Sequence, residues 1–260
     1  MRRSVRSFGG RRPAFTRNVA PGIHRLAHAY VNCYLVEEAG SITVIDTGFP
    51  STWPHLLLAL DTLGRSRGDV EAVVLTHAHF DHLGFAVRAA EELSVPVWVH
   101  SADHHIAAHP YDYAHERSRL IYPLIYPRSV PVLSAMTAAG ALWVRGIDDP
   151  MSLPASGTLD VPGHPSIVFS PGHTSGHCAL HLTDRDTVVT GDALVTLDPY
   201  RGSRGPQIVA GAATADSPQA LASLQALAET GASVVLPGHG EPWNGGIRSA
   251  VAAALISGPA

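Results

Sequence analysis

The chain has no lysine: all 18 of its basic residues are arginine. We read this as coding bias in a GC-rich genome, without functional weight. Cysteine is scarce as well, with only Cys33 and Cys178. Two thiols in apolar, strand-like contexts imply no disulfide framework and suit small buried residues in a reducing cytoplasm. Long apolar runs are missing, and none approaches the ~20 residues needed to span a bilayer. Strong net charge is missing too. Against 22 acidic residues the arginines leave a formal −4, so bulk electrostatics give no sign of a nucleic-acid binder. Six arginines (Arg2, Arg3, Arg6, Arg11, Arg12 and Arg17) crowd the head of the chain with no apolar stretch behind them. That pattern is not a secretory signal, and residues 1–18 are expected to form a disordered basic leader.

Histidine, by contrast, is abundant, with 16 copies. Chance pairs are expected at that number. His105 and His109 have helical i, i+4 spacing but are read as ordinary residues, as are His24, His28, His55, His164 and His181. The run Thr76-His77-Ala78-His79-Phe80-Asp81-His82 is different, because four metal-ligating side chains fall within six residues. It follows the short buried strand Val70 to Leu75. In an extended segment i and i+2 point the same way, so His77 and His79 can reach one metal. Asp81 and His82 stand where the chain turns into a helix and can face a second. Three more candidates occupy strand ends or glycine turns: His173 in Pro171-Gly172-His173, Asp192 in Thr190-Gly191-Asp192, and His239 in Pro237-Gly238-His239-Gly240. Five imidazoles and two carboxylates suit two adjacent borderline metals with an open position. His177 reads as a supporting residue and not a ligand.

Strand-like runs at Val31 to Glu38 and Ser41 to Asp46, joined by Ala39-Gly40, read as a hairpin. Thr52 to Leu63, His82 to Leu93, Ser217 to Glu229 and Gly246 to Ile256 read as helices. Val95 to Val99, Ser166 to Phe169, Cys178 to Leu182, Thr187 to Thr190 and Ser233 to Leu236 read as strands. The result is a layered α/β arrangement. Ser101 to Leu153 has another texture, rich in tyrosine and proline, and reads as a helical insertion. It is expected to cap the site, with Tyr111, Tyr113, Tyr122 and Tyr126 as candidate substrate contacts, because a phenol offers an apolar face and a hydrogen bond.

From Val19 to about Trp243 the pattern resembles a metallo-β-lactamase-fold hydrolase. The resemblance rests on His-x-His-x-Asp-His preceded by Asp46-Thr47-Gly48 and followed in order by His173, Asp192 and His239. It implies an αββα sandwich of two mixed β-sheets flanked by helices, in one domain over residues 19–260. It implies that His77, His79 and His173 bind one metal, that Asp81, His82 and His239 bind another, and that Asp192 bridges them. Asp46 would be a buried carboxylate supporting the ligands. Two zinc ions are the implied cofactor, with iron or manganese as other divalent choices. Flavodiiron relatives usually carry glutamate where His79 stands, and true β-lactamases generally lack the aspartate found at Asp192. Both differences point to the glyoxalase II, thioesterase and lactonase side. Glyoxalase II adds a C-terminal helical domain, and many acyl-homoserine lactonases carry a tyrosine at the position of Val195. The expected reaction is hydrolysis of a carbonyl ester, thioester or lactone by a metal-held hydroxide, with Asp81 as the catalytic proton carrier. An iron-dependent persulfide dioxygenase is the alternative, and β-lactam hydrolysis ranks behind both. The expected partner is a small-molecule substrate, with no nucleic acid and no membrane; a homodimer is compatible with the sequence.

Overall fold

The computed structural model describes residues 13–259. In chain order the first sheet holds β1 (Ala14–Ala20), β2 (Ile23–His28), β3 (Val31–Glu38) and β4 (Ser41–Ile45), an antiparallel meander. At the β3–β4 turn Ala39 and Gly40 both take positive φ (48° and 96°), the backbone a tight hairpin turn demands. Helix α1 (Trp53–Leu63) then crosses over to β5 (Val70–Val74), parallel to β4. Helices α2 (Phe80–Leu83) and α3 (Ala86–Leu93) lead to β6 (Val97–Val99). The insertion carries α4 (His104–Ala108), α5 (Tyr122–Ile125) and α6 (Val130–Ala138), and returns as β7 (Met151–Ser152) at the sheet edge. The second sheet takes β8 (Ser166–Phe169), β9 (Cys178–Leu182) and β10 (Thr187–Gly191), and a hairpin of β11 (Val195–Leu197) and β12 (Arg204–Gln207) follows. Helix α7 (Ser217–Glu229), β13 (Val234–Pro237), which pairs parallel with β10, and α8 (Ile247–Ser257) complete the chain.

Period-two alternation builds the layers. On β3, Tyr34 and Val36 face the second sheet and meet Leu180, Leu182, Val189 and Leu236, while Cys33 and Leu35 face Trp53, Leu56, Leu60 and Ala89 of α1 and α3. On the far side Ala179, Val188 and Val235 pack against Leu224, Leu227, Ala250 and Val251 of α7 and α8. This is the expected αββα sandwich. Each fully buried leucine or valine contributes roughly 1.5–3 kcal/mol by leaving water. Cys33 and Cys178 are free and buried. No described helix is long and apolar enough to cross a membrane.

Three expectations need correction. The leader expected over residues 1–18 overlaps a strand: Ala14–Ala20 is β1, paired with β2; residues 1–12 lie outside the described residues. An exposed edge strand with polar Thr16, Arg17 and Asn18 lacks the apolar alternation that marks a strand. The helix expected over His82 to Leu93 is two helices. Gly84 N donates to Gly48 O at 2.9 Å, and a Cβ there would sit 2.1 Å from that oxygen, so the chain breaks to dock the Asp46–Gly48 turn. The insertion is helical in short pieces, three α-helices and three 3-10 turns joined by loops, but its last residues belong to the first sheet.

Candidate metal centre

Strand ends deliver the seven ligand candidates to one edge of the sandwich. His77 and His79 follow β5, and the first turn of α2 presents Asp81 and His82. His173 lies between β8 and β9, and Asp192 follows β10. Because β13 runs parallel to β10, His239 emerges beside Asp192, and Gly238 N donates to Gly191 O at 2.8 Å. Asn32 N donates to Gly238 O at 2.8 Å, tying this second-sheet loop to the first sheet.

All seven side chains are buried. Three ligating sets form, each with donor atoms within 4.8 Å of one another: His77, His79 and His173; His77, His82 and Asp192; Asp81, His82 and His239. Asp192 stands between the outer two. Its Oδ2 is 3.6 Å from His173 Nε2 and 3.1 Å from His239 Nε2, and its Oδ1 is 3.5 Å from His82 Nε2. Four rings are fixed from behind through Nδ1: His77 by Thr76 Oγ1 (3.1 Å), His82 by Asp46 Oδ2 (2.9 Å), His173 by Thr214 Oγ1 (3.2 Å) and His239 by the Tyr30 carbonyl (2.9 Å). Their Nε2 atoms, with His79 Nε2 and Asp192 Oδ1, are buried and make no hydrogen bond. Buried polar atoms are nearly always paired. Six orphans gathered at one edge, of nitrogen and oxygen chemistry, fit a pair of divalent cations.

A sequence profile of the Metallo-beta-lactamase superfamily matches residues 28–239. The chain belongs to that superfamily. Among its relatives is the probable metallo-hydrolase YflN of Bacillus subtilis, 28% identical over 245 residues, which cover 87% of this chain and 86% of YflN. The N-acyl homoserine lactonase AttM of Azorhizobium caulinodans is 28% identical over 188 residues, 70% of this chain and 62% of AttM. Of solved structures, TTHA1623 in a di-iron-bound form superposes with a TM-score of 0.58 at 26% identity, covering 87% of this chain and 94% of that one.

Electrostatics divide the candidate imidazole ligands of this superfamily member into two groups. Burial drives His77 and His79 well below the usual imidazole range, and His173 to about 4, so these rings are neutral and ready to ligate. Burial opposes charge on His82 and His239 as well, but carboxylates outweigh it. Asp192 and Asp46 raise His82, and Asp192 with Asp81 pushes His239 to about 10. Burial also works against the Asp81 and Asp192 carboxylates, and His239 holds both below the usual range, with His82 assisting.

The supporting groups are specific. Asp46, expected to back the ligands, takes positive φ (58°), accepts Thr76 N at 2.8 Å and Thr76 Oγ1 at 2.9 Å, and orients His82. His177 is no ligand. Its Nε2 accepts from Asp192 N (3.0 Å) and Ala193 N (3.2 Å), which forces the Nδ1–H tautomer towards Ser170 Oγ at 2.9 Å. Burial lowers its pKa to about 3, consistent with a ring that stays neutral. The sequence reading missed Asp103, a fully buried carboxylate that joins the His77 and His173 loops. It also missed Arg25, which reaches Asn32, Gly240 and Glu241 behind His239.

Of the four tyrosines, Tyr113 alone stacks on a ligand, with ring centroids 3.9 Å from those of His79. Tyr111 does not reach the site with its hydroxyl, which donates to Ala141 O (3.1 Å) and accepts from Val144 N (2.8 Å), closing the insertion on itself. Tyr122 and Tyr126 pack on each other, and Tyr122 also meets Tyr200, which the sequence reading did not single out. Tyr200 and Tyr113 are both buried, and burial pushes both phenols up, so each remains a protonated donor at neutral pH. Val195, standing where many lactonases have tyrosine, is buried in β11 and supplies no hydroxyl. His105 pairs with Asp112 on the surface (2.9 Å), away from the ligand sets.

Proposed function

We propose that this chain hydrolyses a carbonyl ester, thioester or lactone of a small molecule at a centre of two zinc ions. The observation that carries the reading is Asp192, poised between two otherwise complete ligand sets whose ring nitrogens are unpaired. When bound, such a pair supplies Lewis acidity and lowers the pKa of water from 15.7 towards ~7. The chain's own part is orientation and proton transfer. Asp46, Thr76, Thr214 and Tyr30 fix the imidazoles. Asp81, 3.3 Å from His239 Nε2, takes up a proton at its carboxylate oxygen and returns it to the leaving group. Tyr113 and the other tyrosines of the insertion, Tyr111 through its exposed ring face, give that segment the character of a cap for apolar or aromatic acyl groups. AttM, named as a lactonase, supports including lactones among the candidates. Iron or manganese would suit the same donors, and the di-iron form of TTHA1623 supports an iron-loaded alternative. The persulfide dioxygenase reading uses the same ligand motif with a single iron, so metal content and oxygen uptake separate the two.

The test is metal quantification on the isolated protein with a panel of thioesters, lactones, aryl esters and a β-lactam, alongside oxygen uptake. Close to two zinc ions per chain and turnover of at least one acyl substrate are expected. In Asp81→Asn, turnover should fall about 10²–10⁴-fold with the fold intact. One tightly bound iron with oxygen consumption would overturn hydrolysis.

A further inference from the structure

One charged side chain beside the centre has no role in the chemistry above. Arg119, in the insertion, is half-buried, and its Cζ lies 4.2 Å from the centroid of the Tyr113 ring. Tyr113 itself stacks on His79, so the guanidinium stands one ring away from a ligand. Arg25, Arg65, Arg67, Arg88, Arg145 and Arg185 each face a glutamate. Among the described residues no carboxylate pairs with Arg119, and its Nε is buried without a hydrogen-bond partner. The Tyr113 hydroxyl is likewise buried and makes no aligned hydrogen bond, although Tyr200 adjoins it. Two donors of different chemistry, neither with an aligned partner, thus lie on adjoining side chains, one of which stacks on His79. Packing over the Tyr113 ring positions the guanidinium, a group whose geometry suits bidentate recognition of a carboxylate.

We propose that Arg119 and the Tyr113 phenol form an anion-recognition site beside the metal centre, and that the substrates carry a carboxylate besides the scissile acyl group. This rests on the hydrolytic reading. A neutral substrate would leave the buried Nε of Arg119 and the Tyr113 phenol without an acceptor, and a site built to hydrogen-bond a group discriminates strongly against the analogue that lacks it.

The test compares phenyl butyrate with two charged relatives, monophenyl glutarate and 4-carboxyphenyl butyrate, on the metal-loaded protein. A calorimetric titration with glutarate gives a readout independent of turnover. In the wild type one charged ester should exceed phenyl butyrate in kcat/KM by about 10–100-fold, the range of a charge-assisted pair. That ratio should collapse towards one in Arg119→Ala and recover in part in Arg119→Lys, and glutarate affinity should follow the same order. Arg119→Met keeps the stem over Tyr113 while removing the charge, and serves if the alanine variant fails to fold. An equal charge preference in wild type and Arg119→Met overturns the anion site and leaves hydrolysis standing. Glutarate binding that depends on Arg119, with no ester turned over, keeps the anion site and overturns hydrolysis. Neither turnover nor Arg119-dependent binding overturns both.

Discussion

Asp103 offers the sharpest test of how the centre is held. It is not a ligand, yet it grips both loops that bear the first ligand set. Its Oδ2 accepts from Ala78 N (3.1 Å) and Thr174 Oγ1 (2.8 Å), and its Oδ1 accepts from Gly176 N (2.8 Å). Ala78 separates His77 from His79, and Thr174 follows His173. Asp103→Ala would leave three buried donors unpaired at about 1–3 kcal/mol each. The Thr174 hydroxyl can rotate to another acceptor, so about 3–5 kcal/mol is expected. At roughly 2–4 °C per kcal/mol for a chain of this size, the midpoint should fall by about 6–20 °C. Asp103→Asn keeps the oxygen that serves Ala78 and Thr174 but turns an amide N–H towards Gly176 N, so about 1–2 kcal/mol is expected. Denaturation of the chelated protein measures this effect. Competition with a chelator measures the second, a fall in metal affinity of about 10–100-fold for the alanine variant, as for other groups that orient ligands. Should Asp103→Ala lose the expected stability yet bind metal within two-fold of wild type, the carboxylate secures the fold alone and the positioning argument fails.

Further outcomes follow from other residues. At Gly238 a Cβ would lie 2.2 Å from Asp192 Oδ1 and 2.8 Å from His82 Cε1, so Gly238→Ala should fold by circular dichroism but bind fewer than two metals; full occupancy would refute the close approach. His79→Ala and Asp192→Ala should each lose metal and activity together, by elemental analysis and assay, because each removes a ligand. Arg65, and then His24, hold the Glu37 carboxyl below its ordinary value. A depressed folded pKa adds stability that is present above pH ~4.5 and disappears as pH falls through the lower folded value. Glu37→Gln should therefore be less stable than wild type by about 0.5–1 kcal/mol at pH 7. The gap should narrow as pH falls below the ordinary glutamate range, and a gap in urea titrations that does not narrow on acidification would contradict the ion pair's role.

The parts of the fold legible in the sequence were those governed by local rules. The β3–β4 hairpin followed from two strand-like runs joined by Ala39-Gly40, and the ligand clusters from their spacing after buried strands. β2 escaped because Ile23–His28 buries His24 and Arg25, whose glutamate partners are Glu37 and the distant Glu241. No local pattern marks an arginine that is buried because of a partner over 200 residues away. Asp103 and Tyr200 were missed for a related reason: each is an ordinary residue until the fold brings a second loop against it. Arg119 gave no signal, because stacking on Tyr113 depends on how the insertion folds back.

The ligands belong to loops of both sheets, so a cation bound among them clamps the two halves of the sandwich. The six unpaired atoms at that edge set the reward for doing so. A ligand present at 100 times its dissociation constant adds about 2.7 kcal/mol to the folded state, or roughly 5–10 °C in a melting curve for a chain of this length. Heat resistance therefore doubles as a gauge of which metal the protein prefers. Ranking zinc, iron and manganese by the temperature at which the loaded protein melts needs no knowledge of the substrate at all.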